Sequence, residues 1–487
     1  MQRIIRFSFP AVLFACIARF ASAQTAPTPC NCQMDLDSLV TKIEANYIAF
    51  RFEVAGTPKE KEYRSLVARL HERAAATSDE DCVFLLRTLT DWFHDGHLFI
   101  FQLPAISDSE RVRLAASAET RPIDEADLRR KLSSKASRLD PIEGIWYTVG
   151  YRVGIVPDES RSPGDFVAIV LQSDSASWQR GQVKARFHRL RDGSYRTVAY
   201  ADDHSRRDVT SRLYRDVLLN ITPTHWGRAF PLAPHQSGTL DPVDPSRPTV
   251  RLVGSDAVVI SVPSHDPSYT PALVALMRQF RDSIIARPYL LVDIRGDLGG
   301  GSQTTAPIVP FFVSHNLRPP IGPLGLSYVV SSKDNIGYFE RGWNPDSVAE
   351  RMTRAPGQLL PLMRNEELGM PFPNDTVLAL PRRVGVLMDR GVASAGEAFL
   401  LQARRSTKVT LYGDNSLGMI DYQSVQVVRL ACRARGNLLG YPMIAASRTL
   451  PKDGLNAKGI PPDVRIAKGV MDQVSWVLGH MRAGKHD

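Results

Sequence analysis

The fold is decided by residues 383–400, which read RVGVLMDRGVASAGEAFL. The apolar run 384–388 is short and suits a strand buried on both faces. Gly391 permits a sharp turn, and residues 395–405 are rich in helix formers. The stretch therefore predicts a buried strand, a tight turn and a helix, with Ser394 among the first helical residues.

Ser394 has two interpretations at this position. N–H groups are unpaired at a helix N-terminus, so a serine there is placed to attack a carbonyl, with the amide of Ala395 aimed at the oxyanion. Ser-x-x-Glu is also the capping box, with Ser394 as N-cap and Glu397 reaching back to its N–H. These residues alone favour the cap by roughly two to one. The choice depends on stretches elsewhere in the chain.

The chain has 487 residues, enough for two or three domains, and its 43% hydrophobic and 23% charged content is ordinary for a globular protein.

Residues 1–23 have the features of a signal peptide. Arg3 and Arg6 precede an apolar run, and residues 21–23 read Ala-Ser-Ala, an A-x-A cleavage site. Arg19 interrupts the run, which is therefore too short to span a bilayer stably.

We expect export to the periplasm or the extracellular space, with cleavage after Ala23 favoured over lipoprotein anchoring through Cys16. Cleavage removes three arginines and no acidic residue, so the net charge falls from +9 to +6. The remaining basic residues are scattered among acidic ones, which argues against nucleic acid binding. No later run reaches transmembrane length.

Four cysteines remain after cleavage. An exported chain can form disulfides, and Cys82 paired with either Cys30 or Cys32 would tie the mature N-terminus to a later helix. The spacing is not that of a zinc site, because Cys30-x-Cys32 has no second close pair. Cys432 lies in an apolar run and is interpreted as a buried thiol.

Residues 24–141 are predicted to form a helical domain, and its last part contains a histidine. Apolar residues recur at helical spacing from 36 to 93, and a helix ends near Asp95-Gly96. His97 follows directly, at the start of an aromatic strand. An imidazole held there suits a general base, since its ordinary pKa is about 6.5. The alternative is a histidine that caps the preceding helix, and position alone does not decide between them. His94, one turn earlier, is expected at the surface.

Residues 142–235 are predicted to form a mostly β domain. Short strands alternate with Gly, Pro, Asp and Ser, and Asp192-Gly193 is a hairpin signal. A proline-rich linker is predicted over residues 231–248.

Residues 236–487 alternate strands and helices, which indicates a parallel sheet covered by helices. One strand, residues 289–294, leads into DIRGDLGGG at 293–301, followed by a helix predicted from about Thr304. Glycines after a buried strand can present N–H groups to an anion. The spacing fits no phosphate-binding loop, because neither G-x-G-x-x-G nor a following lysine is present. An oxyanion hole is the other interpretation.

Three stretches in this order resemble the serine peptidase family of the tail-specific (C-terminal processing) proteases and the tricorn core protease. They are Asp293-x-Arg295-Gly296-x-x-Gly299-Gly300, Val392-Ala393-Ser394-Ala395-x-Glu397 and Gly459-Ile460-x-Pro462-Asp463. The resemblance covers roughly residues 250–470. It implies an α/β fold with a ClpP/crotonase-like catalytic core, here with an N-terminal helical domain and an inserted mostly β domain.

The resemblance also implies the site residues. Ser394 would be the nucleophile, and the oxyanion hole would come from the N–H of Ala395 and of Gly299 or Gly300. One branch of the family uses a lysine after the serine, but the corresponding segment here reads Gly-Met-Ile at 418–420. The tricorn-like branch uses a histidine from an earlier domain, in a segment shaped like Asp95-Gly96-His97.

The third catalytic residue is left open by the sequence. Relatives often have an acidic residue three before Gly459, where this chain has Asn456. Asn456 is expected to orient the imidazole, and Asp421 or Asp453 is an alternative. The β domain shows no Gly-Leu-Gly-Phe loop of a PDZ module.

The sequence therefore predicts an exported serine peptidase that hydrolyses peptides or unfolded proteins through an acyl-enzyme, with no metal or cofactor. The base lies in the helical domain, so activity should depend on docking of that domain onto the core. One alternative is a non-catalytic protein on the same fold that binds peptides or hydrophobic ligands, like the interphotoreceptor retinoid-binding relatives. An α/β-hydrolase esterase is the second, but it needs Gly-x-Ser-x-Gly, which is absent around Ser394.

Overall fold

The structure is a computed structural model that describes residues 30–484, except 104–105, 135–138, 149–150, 174–176, 215–217, 222–223, 232–246, 323–324, 343–346, 365–375, 457, 468–469 and 471. The predicted signal peptide 1–23, with Cys16, and most of the predicted linker 231–248 lie outside the described residues. No helix in the part of the chain that is described has the length and apolar character of a membrane span.

The N-terminal region is mostly helical. Its elements are α1 (Cys32–Asn46), α2 (Lys59–Ala74), α3 (Asp79–Asp91), strand β1 (Phe99–Gln102), α4 (Asp108–Ala116) and α5 (Glu125–Ser134). Asn31 caps α1 and Ser78 caps α3, each accepting a backbone N–H in the first turn. The apolar residues that recur at helical spacing lie on one buried face of each of the first three helices.

The next region is a closed antiparallel barrel. Its eight strands are β2 (Gly144–Thr148), β3 (Tyr151–Pro157), β4 (Asp165–Ser173), β5 (Val183–Arg189), β6 (Tyr195–Tyr200), β7 (Arg206–Tyr214), β8 (Leu218–Ile221) and β9 (Thr224–Phe230). Each strand pairs with the next, and β9 pairs back onto β2. Trp146 and Trp226 are among its fully buried side chains. Asp192-Gly193 lies in the connection between β5 and β6, as the hairpin signal predicted.

From residue 249 the chain forms two sheets with their helices. In chain order the elements are β10 (Thr249–Val253), β11 (Ala257–Ser261), α6 (Thr270–Ile285), β12 (Tyr289–Asp293), β13 (Leu326–Val330), α7 (Lys333–Arg341), α8 (Val348–Arg354), β14 (Leu359–Arg364), β15 (Arg383–Met388), α9 (Ala395–Arg404), β16 (Val409–Gly413), β17 (Tyr422–Arg429), β18 (Asn437–Ala445), β19 (Val464–Arg465) and α10 (Gln473–Ala483).

The first sheet has the order β10-β11-β12-β15-β16-β19 and is parallel except for β10. Its four inner strands, β11, β12, β15 and β16, are buried on both faces, since α6 and α9 pack on one side and α10 on the other. Val384 to Met388 are all buried, which explains why this strand is a continuous apolar run. The predicted combination of α/β core, N-terminal helices and β-rich insertion is confirmed.

The second sheet joins the N-terminal region to the core. Its order is β1-β18-β13-β14, with β17 on the other edge of β18. Phe99 in β1 pairs with Gly440 in β18, so residues 341 positions apart are adjacent in one sheet. The side chains of α1, α3 and this sheet form one continuous core. The segment that carries His97 is therefore fixed to the core by a shared sheet and a shared interior.

Two disulfides strengthen this connection. Cys32–Cys82 joins α1 to α3, and Cys30–Cys432 joins the residues just before α1 to the segment after β17. Pairing of Cys82 with Cys32 was one of the two predicted alternatives. The prediction of a buried thiol at Cys432 is wrong, because its partner Cys30 lies 402 residues earlier and no local signal joins them.

The helix predicted from about Thr304 is also wrong. Residues 302–308 form successive turns, and only a short 3-10 segment, Val309–Phe311, follows. Pro307 and Pro310 explain the difference, because proline lacks the N–H and clashes with the preceding helical turn.

Candidate active site

Ser394 lies at the turn between β15 and α9, as the sequence predicted. Its backbone has φ 53° and ψ −117°, a conformation that is strained for a residue with a side chain. Its N–H donates to Oε2 of Glu397 at 3.1 Å. The cap interpretation therefore holds for the backbone of Ser394, and the hydroxyl is engaged elsewhere.

The Ser394 hydroxyl meets the imidazole of His97. Nε2 of His97 lies 2.9 Å from Oγ of Ser394, and Nδ1 lies 2.9 Å from the carbonyl oxygen of Tyr422. A carbonyl oxygen can only accept, so Nδ1 carries the hydrogen. Nε2 of the neutral ring is then the acceptor for the serine hydroxyl, which is the arrangement that a general base needs.

Short-range contacts hold His97 in place. Its N–H donates to Oδ1 of Asp95 at 2.9 Å, and the hydroxyl of Tyr47 donates to Oδ2 of the same carboxylate at 2.8 Å. Asp95 and His97 are each 8% exposed. Burial raises the pKa of the Asp95 carboxyl, and the nearby imidazole and the hydrogen bonds to it act in the opposite direction.

None of the three residues expected behind the imidazole contacts it. Oδ1 of Asn456 accepts the N–H groups of Ile420 and Asp421 at 2.9 Å each. The Asp421 carboxylate accepts the N–H groups of Leu455 and Asn456 at 2.8 Å each. Asp453 is exposed.

These contacts give Asn456 and Asp421 a different role from the expected one. The two side chains connect residues 420–421, immediately before Tyr422, to residues 455–456. They therefore support the segment whose carbonyl accepts from the imidazole.

The glycine loop, residues 297–301, lies against Ser394. A β-carbon on Gly299 would stand 2.8 Å from Cβ of Ser394 and 2.9 Å from N of Ala395, and Gly299 has φ +97°. Only glycine fits so close an approach at this φ. The N–H of Gly299 donates to Oδ1 of Asp297 at 2.9 Å. The N–H groups of Gly300 and Ala395 donate to no acceptor within the described part of the chain.

A buried histidine–aspartate pair holds this loop. His265 and Asp297 are both fully buried, and Nδ1 of His265 pairs with Oδ2 of Asp297. Nε2 of His265 lies 3.0 Å from Oγ1 of Thr305. The backbone takes part as well, because the carbonyl of Asp297 accepts the N–H of Ala393 at 2.9 Å and that of His265 accepts the N–H of Gly301 at 2.8 Å. The pair thus fixes the glycine loop relative to the serine turn.

Glu397 connects the serine turn to the loop before β17. The carboxylate is fully buried, and besides Ser394 it accepts from Oγ of Ser416, from N of Gly418 at 2.9 Å and from N of Met419 at 2.7 Å. Burial raises its pKa, and these hydrogen bonds oppose the shift. The Met419 side chain in turn packs where a β-carbon of residue 96 would lie, 2.5 Å from its Cε. Glu397 therefore fixes a loop that packs beside His97.

The other motif residues are structural. Arg295 donates to the Asp293 carboxylate through Nε at 2.9 Å and Nη2 at 2.6 Å. The Asp463 carboxylate accepts the N–H of Leu411 at 2.9 Å. In the part of the chain that is described, no group of three or more His, Cys, Asp or Glu side chains is arranged to hold a metal ion.

Three features of the site could not be found from the sequence. The Tyr422 carbonyl is a backbone group without a sequence signal. The His265–Asp297 pair spans 32 residues without a motif, and Asp95 stood out only as part of the histidine segment.

Residues 257–466 match the model of Peptidase family S41. This segment belongs to peptidase family S41. The S41 segment contains Ser394, the glycine loop, Glu397 and Tyr422, whereas His97 lies outside it. The predicted family and the predicted class of enzyme, a serine peptidase, are confirmed.

Solved structures give weaker similarities. The photosystem II D1 C-terminal processing protease has 13% identity and a TM-score of 0.36, covering 91% of this chain and 97% of that one. Mature CPAF has 12% identity and a TM-score of 0.45, covering 94% and 99%. The tricorn protease has 13% identity and a TM-score of 0.38, covering 93% of this chain and 37% of that one. Similarity of this degree supports no argument about function. No curated protein matches the chain.

Proposed function

We propose that this S41 serine peptidase is exported and uses Ser394 as nucleophile and His97 as general base, on peptides or unfolded proteins. The observation that carries the proposal is the 2.9 Å contact between His97 Nε2 and Ser394 Oγ, formed by residues 297 positions apart. A capping histidine, the alternative interpretation, would not need to meet a serine on a distant element.

The tautomer of His97 determines which ring nitrogen accepts the serine proton during acylation. His97 keeps its hydrogen on Nδ1, where the Tyr422 carbonyl accepts it, and takes the serine proton on Nε2 as Oγ attacks the scissile carbonyl. The imidazolium then gives this proton to the leaving amine, which releases the first product. Water attacks the acyl-enzyme in the second half, with His97 again accepting and returning a proton.

The oxyanion of the tetrahedral intermediate needs two donors. Ala395 N–H at the start of α9 is one, and the absence of an acceptor for it among the described residues supports this role. Gly300 N–H is the other. Of the two predicted glycines, Gly299 already donates to Asp297, and its role is to let the backbone approach the serine.

The two disulfides support export. Structural disulfides form and persist in oxidising compartments and are rare in the cytosol. The chain begins with a segment that has signal-peptide features, and both bonds lie in the mature part.

The proposal is tested by hydrolysis of fluorescent casein by the purified mature chain. Ser394→Ala and His97→Ala should each reduce the rate by a factor of about 100 or more, with the fold intact by circular dichroism. His94→Ala is the matched control, since this histidine is exposed and lies in the same segment. We expect it to retain activity. Full activity of His97→Ala would overturn the assigned base, and inactivity of the wild type on all peptide substrates would favour a binding protein.

A further inference from the structure

Among the described residues, no carboxylate contacts Nδ1 of His97, the ring nitrogen that faces away from Ser394. In a serine–histidine–aspartate arrangement one group fixes the tautomer and also stabilises the imidazolium. Here the Tyr422 carbonyl fixes the tautomer, 2.9 Å from Nδ1. A carbonyl dipole stabilises the imidazolium less than a full negative charge would, so this stabilisation needs a charge near the ring.

Asp95 is the group in position to supply that charge. It lies two residues before His97, and its Oδ1 accepts the N–H of His97 itself. The carboxylate is buried, so its field is poorly screened by water. Its hydrogen-bond donors are the His97 N–H and the Tyr47 hydroxyl, and none of the salt bridges in the described residues involves it. No cation other than the imidazolium itself is therefore paired with this charge.

We propose that Asp95 is a positioning residue that acts electrostatically, because its buried charge stabilises the His97 imidazolium that forms during both proton transfers. The two tasks of the aspartate in a serine–histidine–aspartate triad are thus divided. The Tyr422 carbonyl fixes the tautomer, and the Asp95 carboxylate, which does not touch the ring nitrogens, stabilises the imidazolium. This inference depends on the proposed function of His97.

The other ionisable groups around His97 are less suited to this role. Glu53 accepts from the Tyr422 hydroxyl at 2.8 Å but is paired with Lys59 at 3.3 Å. Asp421 uses its carboxylate to accept two backbone N–H groups. The hydroxyls of Tyr47 and Tyr422 are neutral, since burial raises both pKa values.

Asp95→Asn tests the charge while keeping the shape of the side chain. Loss of the negative charge makes the imidazolium less stable, so His97 becomes a free base at lower pH. The acid limb of the kcat/KM–pH profile should therefore move to lower pH by about one unit, and kcat/KM should fall about tenfold, mostly through kcat. A purely structural role of Asp95 would lower activity without moving the acid limb.

Tyr47→Phe separates charge from structure. This change removes one hydrogen bond to Asp95 but keeps the carboxylate, and the lost bond lets the pKa of that carboxyl rise further. Because Asp95 keeps its carboxylate, the acid limb should move less than it does in Asp95→Asn. Asp35→Asn is the second control, because it removes a fully buried carboxylate bound to Cys432 N and Asn437, away from the site. It should leave the acid limb unchanged.

The outcomes are distinct. The inference is wrong if folded Asp95→Asn has the wild-type acid limb while His97→Ala is inactive. If Asp95→Asn does not fold, Asp95→Ala removes the same charge, and a folded Asp95→Ala variant with the wild-type acid limb would overturn the inference instead. If His97→Ala keeps full activity, the proposed function of His97 is wrong. This result is independent of Asp95→Asn, so the two failures can be distinguished.

Discussion

Gly299 lies so close to Ser394 that a β-carbon at residue 299 would lie 2.8 Å from Cβ of the serine. The same atom would lie 2.8 Å from the Ala393 carbonyl oxygen. The glycine loop is thus not only a source of N–H groups. It is also one wall of the turn that holds Ser394 in its strained conformation.

Gly299→Ala should therefore reduce activity strongly. The methyl group would push the loop away from the serine turn and move the oxyanion donors, and we expect kcat to fall by a factor of about 100. Steady-state kinetics on a peptide substrate measure the effect.

Gly296→Ala is the control for backbone strain. Gly296 has φ +78°, but a β-carbon there meets nothing within 4 Å. It should cost about 1–2 kcal/mol of stability and leave most of the activity. Equal losses of kcat in the two variants would contradict the proposed contact.

Glu397→Gln should damage both stability and activity. Its carboxylate accepts four hydrogen bonds, and an amide nitrogen in its place would face donors. We expect a loss of about 3 kcal/mol in the free energy of unfolding, measured in urea, and a large loss of kcat as the loop beside His97 moves. Ser416→Ala removes one of the four donors and should cost about 1–2 kcal/mol with most of the activity retained. The account is contradicted if Glu397→Gln behaves like Ser416→Ala.

Removal of the Cys32–Cys82 disulfide should loosen the segment that carries His97. The bond joins α1 to α3 across 50 residues, and α3 leads into Asp95-Gly96-His97. The double variant Cys32→Ser/Cys82→Ser should lose about 2–4 kcal/mol of stability. Urea should then abolish activity at a lower concentration than in the wild type. Thiol titration of the denatured, unreduced chain without residues 1–23 should find no free cysteine, and four free thiols would exclude both bonds.

Asp35 gives the stability a defined dependence on pH. Burial raises its pKa, so the folded state binds its proton more tightly than the unfolded state does. Its contribution is full below the unfolded pKa of about 4 and is lost as pH rises through the raised value. Asp35→Asn lacks this loss, so its stability deficit relative to wild type should shrink between pH 4 and pH 7. Urea denaturation at several pH values measures it, and a deficit that grows with pH would give the opposite sign.

Much of the catalytic core could be predicted because its signals are local. The apolar run before Ser394 is typical of a buried strand, and the glycines at 299 and 300 have φ values of +97° and +144° that residues with side chains rarely adopt. Ser394 lies at the predicted turn, and the Asp95-Gly96-His97 segment lies at the predicted end of a helix. The elements β13, α7, α8 and β14 were not predicted, because proline and glycine recur through residues 313–380, which were therefore interpreted as connections.

The parts that could not be predicted depend on distant contacts. The partner of Nδ1 is a backbone carbonyl, which any residue at position 422 would supply. Asn456 was expected at the imidazole because of its place in a motif, but its side chain supports the neighbouring loop instead. The partner of Cys432 lies at the other end of the chain, where spacing rules do not apply.

The central claim is that the imidazole of His97 activates Ser394, and covalent labelling tests it most directly. A fluorophosphonate probe should label the wild-type mature chain, and peptide mapping should place the adduct on Ser394. The rate should rise with pH as the imidazole loses its proton and should fall by a factor of about 100 or more in His97→Ala. Absence of labelling in the wild type, or the same rate in His97→Ala, would contradict the account.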